Sequence, residues 1–221
     1  MQDALMDEQW TPRHKSWLLE EWPSEAGDTM EFRLVLRGHL PPDKRGTVPV
    51  KHRIRRELHP QLKTLWQQHP ALRRSFDTPN GGISRVEELA RNHSHSGFRF
   101  VPLVKKDHFA CALDILLLRR QPPFRVLDPI GDLDGRVKTL IDGLRMPQLG
   151  QEVGENTPGV DEDPFFCLMD DDSAIFNFQV TVDRLLVPPE LNEPEKDIMA
   201  IIGVKVTTFA GGQITYFSAQ F

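Results

Sequence analysis

Long apolar runs are missing from this chain of 221 residues. The longest stretches, residues 110–118 and 198–206, have the length of a strand, whereas a helix that crosses a bilayer needs roughly 20 apolar residues. Near its start the chain carries Asp3, Asp7 and Glu8, where a signal peptide would have positive charge followed by an apolar segment. We therefore expect a cytoplasmic protein that makes no contact with a membrane.

Cysteine is also scarce, since the chain has only 2. Cys111 and Cys167 each lie in an apolar, strand-like run. This setting favours buried thiols in a reducing compartment over a disulfide or a metal site.

Positive charge is in the minority, because 27 Lys and Arg stand against 32 Asp and Glu and give a net charge of −5. Such a balance disfavours a general nucleic-acid binder. The distribution is uneven, however: residues 44–56 hold six bases and no acid, residues 1–31 hold eight acids and two bases, and residues 151–163 hold five acids and no base. The acidic total therefore hides one concentrated positive stretch.

The chain is rich in proline and glycine, with 18 and 15, which indicates long irregular connections rather than a helical bundle. We expect an N-terminal appendage of residues 1–29 and one domain of residues 30–221. Apolar spacings predict strands at 31–37, 98–104, 109–118, 165–169, 175–186, 198–208 and 213–218, and helices at 50–69, 84–92 and 131–146. This order indicates an α+β fold, a mixed sheet with helices packed on it. We expect 98–104 and 109–118 to form a hairpin, and Pro60 to dent or interrupt the first helix.

Residues 131–146 are the most informative about chemistry. Asp134, Lys138 and Asp142 are spaced by four residues, so on a helix they share one face. Asp132 lies two residues before Asp134, at the expected helix start. The segment therefore presents carboxylates and an ammonium opposite its apolar stripe.

A second acidic segment, Asp170-Asp171-Asp172-Ser173, lies between two predicted strands. Neighbouring carboxylates repel one another unless a cation or hydrogen-bond donors compensate, and Mg²⁺ prefers a few carboxylates completed by water and phosphate. Each cluster alone has a structural alternative: a helix cap, a charge that favours the helix dipole, an ion-pair ladder or an ordinary turn. Taken together, the two clusters favour a metal site.

The motif Asp132, Asp134, Lys138, Asp142 and then Asp171-Asp172-Ser173 resembles the RusA family of Holliday-junction resolvases. The resemblance covers about residues 30–208, and only the acidic-lysine motif is specific. It implies that Asp132, Asp134 and Asp172 bind Mg²⁺, with Mn²⁺ as a substitute. It also implies that Asp171 and Asp142 help to position these ligands without binding the metal themselves. It further implies that Lys138 lies beside the scissile phosphate and that the protein is a homodimer acting on branched DNA.

The basic stretch is the predicted contact with the DNA backbone, because Lys and Arg bind phosphates without reading sequence. The predicted contact residues are Lys44, Arg45, Lys51, Arg53, Arg55, Arg56 and Arg136. The alternative is the solvated face of a surface helix.

Two other functions stay open. Gly135 stands where the family commonly has Asn, and the pI is acidic, so the chain could be a nucleic-acid-binding protein that has lost turnover. It could also be a partner-binding module whose carboxylates form a passive Ca²⁺ or Mg²⁺ site.

Overall fold

The computed structural model describes residues 29–42, 47–78, 81–120, 133–186 and 197–208. Its strands are β1 (Thr29–His39), β2 (Ser94–His95), β3 (Phe98–Val104), β4 (Phe109–Arg119), β5 (Phe165–Met169), β6 (Ile175–Arg184) and β7 (Asp197–Thr208), and its helices are α1 (Val48–Gln68), α2 (Pro70–Arg73), α3 (Arg85–Asn92) and α4 (Leu133–Leu144). The predicted α+β class is confirmed. The described strands form two sheets rather than one, a four-stranded sheet in the order β1-β7-β4-β6 and a three-stranded sheet in the order β2-β3-β5. The predicted strand at 213–218 and nearly all of the N-terminal appendage lie outside the described residues.

The four-stranded sheet has one buried and one exposed face. In β1, Leu34 and Leu36 are buried whereas Arg33 and Arg37 are exposed, as strict alternation requires of a half-buried strand. On the exposed face, Lys205 of β7 pairs with Glu31 of β1 at 2.9 Å.

Helix α1 covers the buried face with the predicted apolar stripe. Its residues Ile54, Leu58, Leu62, Leu65 and Trp66 are all buried. Pro60 was expected to dent or interrupt this helix; it does not interrupt it, because α1 continues through it. Proline lacks one hydrogen-bond donor, and the residues on both sides of it, Leu58 and Leu62, are buried in the core.

Side chains of α1 also block the outer edge of β1. Gln61 receives a hydrogen bond from the Val35 amide at 2.9 Å and donates one to the Val35 carbonyl at 2.7 Å. The Arg37 amide donates to Glu57 at 2.6 Å. These polar contacts fix the helix against the strand and occupy main-chain groups that another strand could otherwise pair with.

The predicted hairpin of β3 and β4 was wrong, although both strands exist. β3 pairs with β2 and, in parallel, with β5, whereas β4 pairs with β6 and β7. β3 is buried at six of its seven positions, so it lies inside the protein and needs neighbours on both faces. A turn closed by the Phe109 amide on the Lys105 carbonyl at 2.8 Å carries the chain from one sheet to the other.

The three-stranded sheet packs against α1 through an aromatic cluster. Phe98, Phe100 and Phe165 are fully buried, and His52 of α1 lies 5.4 Å from the Phe98 ring and 5.9 Å from the Phe165 ring. Burial, aided by the charges of Arg56 and Arg55, lowers the pKa of His52 to about 4. The imidazole is therefore neutral at physiological pH.

Both cysteines are free and buried, as their apolar runs predicted. Burial raises the pKa of Cys111 and of Cys167 to about 12, so both side chains are unreactive thiols. Within the part of the chain that the structure describes, no helix has the length and apolar character to cross a membrane.

Candidate functional site

The first turns of α4 carry the predicted acid and lysine on their solvent face. Asp134 and Lys138 are both exposed, while Val137, Leu140 and Leu144 face the core. Because Asp134 lies in the first turn, its negative charge also interacts favourably with the helix dipole. Asp132 lies outside the described residues.

Asp142, the third acid or base of the predicted series on α4, lies where α4 crosses α1. Its carboxylate pairs with Lys51 of α1 at 2.6 Å, with only 14% of the side chain exposed, and its carbonyl accepts a hydrogen bond from Arg55 at 2.8 Å. The charge of Asp142 is thus balanced by Lys51 where α1 and α4 cross, and its supporting role at a metal site stays a prediction.

The acidic run Asp170–Asp172 follows the end of β5, and its three carboxylates differ. Asp170 is buried and accepts a hydrogen bond from the Lys106 amide at 3.0 Å, and burial raises its pKa. Asp171 caps a 3₁₀ turn by accepting from the Ser173 amide at 3.0 Å, and it lies 3.4 Å from the Lys106 ammonium. Hydrogen bonds from the side chain and the amide of Ser173 lower the pKa of Asp171. Asp172 is the exposed member.

The acidic run is anchored at the C-terminal end of α4. The Met146 amide donates to the Met169 carbonyl at 2.9 Å, and Arg145 and Met169 form a parallel bridge. Asp134 lies about 16 Å before Arg145 along a helix that rises 1.5 Å per residue. These described contacts join the two halves of the motif at the C-terminal end of the helix.

Among the described residues no group of three or more His, Cys, Asp or Glu could hold a metal ion. The predicted set includes Asp132, which falls outside that part of the chain. The three-carboxylate site of Asp132, Asp134 and Asp172 therefore stays a prediction.

Arg55 was predicted to face DNA, and this is corrected by its burial, since only 2% of it is exposed. Its guanidinium donates to the carbonyls of Asp142 and Arg145 at 2.8 Å each and to the Glu152 carbonyl at 3.3 Å. Carbonyls in the last turn of a helix have no partner within the helix, so Arg55 acts as an external cap for α4. Burial lowers its pKa.

The remaining described residues of the predicted DNA surface also contact the protein itself. Arg56 pairs with Glu162 at 2.9 Å, Arg53 with Glu57 at 3.4 Å, and Arg136 donates to the Leu40 carbonyl. Arg53 and Arg56 keep 41% and 38% of their side chains exposed, so part of each remains accessible to a phosphate. Lys44 and Arg45 lie outside the described residues.

Sequence reasoning missed that the acidic loop after α4 folds onto α1. Glu152 lies 3.8 Å from Arg55, and Glu162 pairs with Arg56. The complementary charges of residues 151–163 and 44–56 were the signal that could have found this contact. Comparison with family models, with curated proteins and with solved structures found no match.

Proposed function

We propose that this protein is a Mg²⁺-dependent, structure-selective DNA endonuclease that cleaves Holliday junctions or other branched DNA. The observation that carries the proposal is the sorting of the acidic side chains by exposure. Asp134, Lys138 and Asp172 are exposed, whereas Asp142 and Asp171 are half-buried and Asp170 is buried. The exposed residues are those that a metal and a phosphate would need to reach.

The donor set fits Mg²⁺ by its chemistry, because this ion takes carboxylate oxygens together with water and phosphate. Asp132, Asp134 and Asp172 would hold it. When bound, it would polarise the phosphoryl oxygen and provide a hydroxide at neutral pH. Lys138 would offset the negative charge that develops on the phosphate in the transition state.

The centre requires Asp172 to join the acids at the start of α4. The described contacts anchor its strand at the other end of that helix. Whether both parts of the motif bind one metal is therefore tested by separate substitutions, one at the start of α4 and one at Asp172.

We expect Asp134→Asn and Asp172→Asn each to lower Mg²⁺-dependent cleavage of a synthetic four-way junction at least ~100-fold, because each removes a metal ligand. The measurement is single-turnover nicking of labelled junctions with and without Mg²⁺. Asp183→Asn is the matched control, since Asp183 is an exposed acid outside the motif.

Wild-type protein without cleavage above the Asp134→Asn background would overturn the proposal. Loss of activity in Asp134→Asn alone, with Asp172→Asn as active as Asp183→Asn, would limit the metal site to the start of α4.

A second candidate is a nucleic-acid-binding protein without turnover. The observation that favours it is the internal pairing of Lys51, Arg53 and Arg56 with carboxylates. A Lys or Arg side chain that is already paired with a carboxylate displaces fewer counterions from DNA when the protein binds. The expected junction binding is weak, with a slope of log affinity against log salt below about 3 in magnitude. Fluorescence anisotropy at several salt concentrations measures it, and a slope of the order of 6 or more would contradict this expectation.

A further inference from the structure

An acidic segment lies along one face of helix α1. This segment, residues 154–163, holds four acids and no base, and we call it the acidic strap. Arg56, His59 and Lys63 of α1 are spaced by three and four residues, so they share one face of the helix. All three contact the strap. The strap therefore follows α1 for about 10 Å, at a rise of 1.5 Å per residue.

Oxygen atoms of the strap occupy the donors on this face of α1. The Arg56 guanidinium donates to the Thr157 carbonyl at 2.7 Å and pairs with the Glu162 carboxylate at 2.9 Å. The Lys63 ammonium donates to the Asp161 carbonyl at 3.2 Å. Lys and Arg side chains offer the same donors to the phosphate oxygens of DNA. The strap thus takes the contacts that a DNA backbone would need.

The strap has buried residues at both flanks and polar contacts to α1 in between. Val153 and Phe165, which flank it, are fully buried, whereas Val160 near its middle is fully exposed. None of residues 154–163 is buried. Ion pairs near the surface contribute little net stability, because water and salt compete for the charges. The middle of the strap can therefore leave α1 while its flanks remain in the core.

We propose that the acidic strap is autoinhibitory: it covers the cations of α1 in the free protein, and the phosphates of a DNA backbone displace it. Glu162 is the central group, because its carboxylate both pairs with Arg56 and accepts a hydrogen bond from the Gly159 amide at 2.8 Å. A site that is open for only part of the time binds its ligand with an affinity lowered by the open fraction. The inference rests on the DNA binding in the proposed function and does not require cleavage.

The test is the substitution Glu162→Gln, which removes the competing charge and keeps the shape of the side chain. It should tighten binding of a synthetic four-way junction ~5-fold or more, as measured by fluorescence anisotropy at low salt without Mg²⁺. Glu155→Gln is the matched control, because Glu155 is an exposed acid of the same strap that forms no ion pair with the described residues. It loses the same charge and should change the affinity less than about 2-fold.

Hydrogen exchange of the wild-type protein gives a second measurement that needs no variant. Saturating junction DNA should speed amide exchange in residues 154–163, because the displaced strap loses the contacts that hold it. Equal junction affinities of the two variants, unchanged or slower exchange of the strap, or no junction binding by any of the proteins would each overturn the inference. Tighter binding by Glu162→Gln without Mg²⁺-dependent cleavage would leave the autoinhibitory strap in place and remove the nuclease.

Discussion

Replacing Arg55 with methionine is expected to lower the free energy of unfolding by about 3–5 kcal/mol. The guanidinium is almost fully buried and donates to three carbonyl groups, two of them at the end of α4. Methionine fills a similar volume but donates no hydrogen bond. The carbonyls would therefore lose both their donor and their access to water.

Urea unfolding followed by circular dichroism measures this effect. Arg55→Lys should lie between wild type and Arg55→Met, because one ammonium cannot donate to three separated carbonyls as a planar fork does. Arg73→Met is the control, since Arg73 is exposed on α2, and it should change stability by about 0.5 kcal/mol or less. A stability of Arg55→Met equal to that of wild type would show that the cap contributes nothing.

Acidification from pH 7 to pH 5 is expected to lower the free energy of unfolding by about 2 kcal/mol through the protonation of His52 alone. The pKa of this histidine is about 4 in the folded chain, against an ordinary value of 6.5 for a solvated imidazole. The unfolded chain therefore binds a proton first as the pH falls. Stability is complete above pH 6.5 and declines towards pH 4, and the lowered pKa values of His59 and His69 act in the same direction.

His52→Phe tests this assignment, because a phenyl ring can take the place between Phe98 and Phe165 without titrating. The free energy of unfolding is measured by urea titration at both pH values. The change between them should be about 2 kcal/mol smaller in the variant. An unchanged pH dependence would mean that His52 accepts a proton inside the folded protein at little cost.

The sequence predicted where the helices and strands lie better than it predicted which strands pair with each other. The spacing of Ile54, Leu58 and Leu62 located α1, and the alternation in β1 located that strand, because burial of one face is a local pattern. Pairing is not local. The choice of β5 over β4 as the neighbour of β3 depends on burial from both sides, which a single strand's sequence does not reveal.

In the candidate site, too, features set by a local pattern were predicted and features set by contacts between distant segments were not. Exposure of Asp134 and Lys138 followed from their position opposite the apolar stripe of α4. The internal use of Asp142 and Arg55 did not, because it arises where two helices far apart in sequence cross. A run of like charges in a sequence predicts a solvent-exposed surface. The prediction fails where opposite charges from a distant segment pack against the run, as Glu152 and Glu162 do here.

The position of β7 has a consequence for how the chain folds as it is made. β7 is the last described strand, yet it lies between β1 and β4 and pairs with both. Among the described strands, β7 is the one that pairs with β1, so during synthesis β1 leaves the ribosome before residues 197–208 are available to pair with it. Helix α1 is made directly after β1, so Gln61 and Glu57 can shield one edge of the waiting strand from other nascent chains.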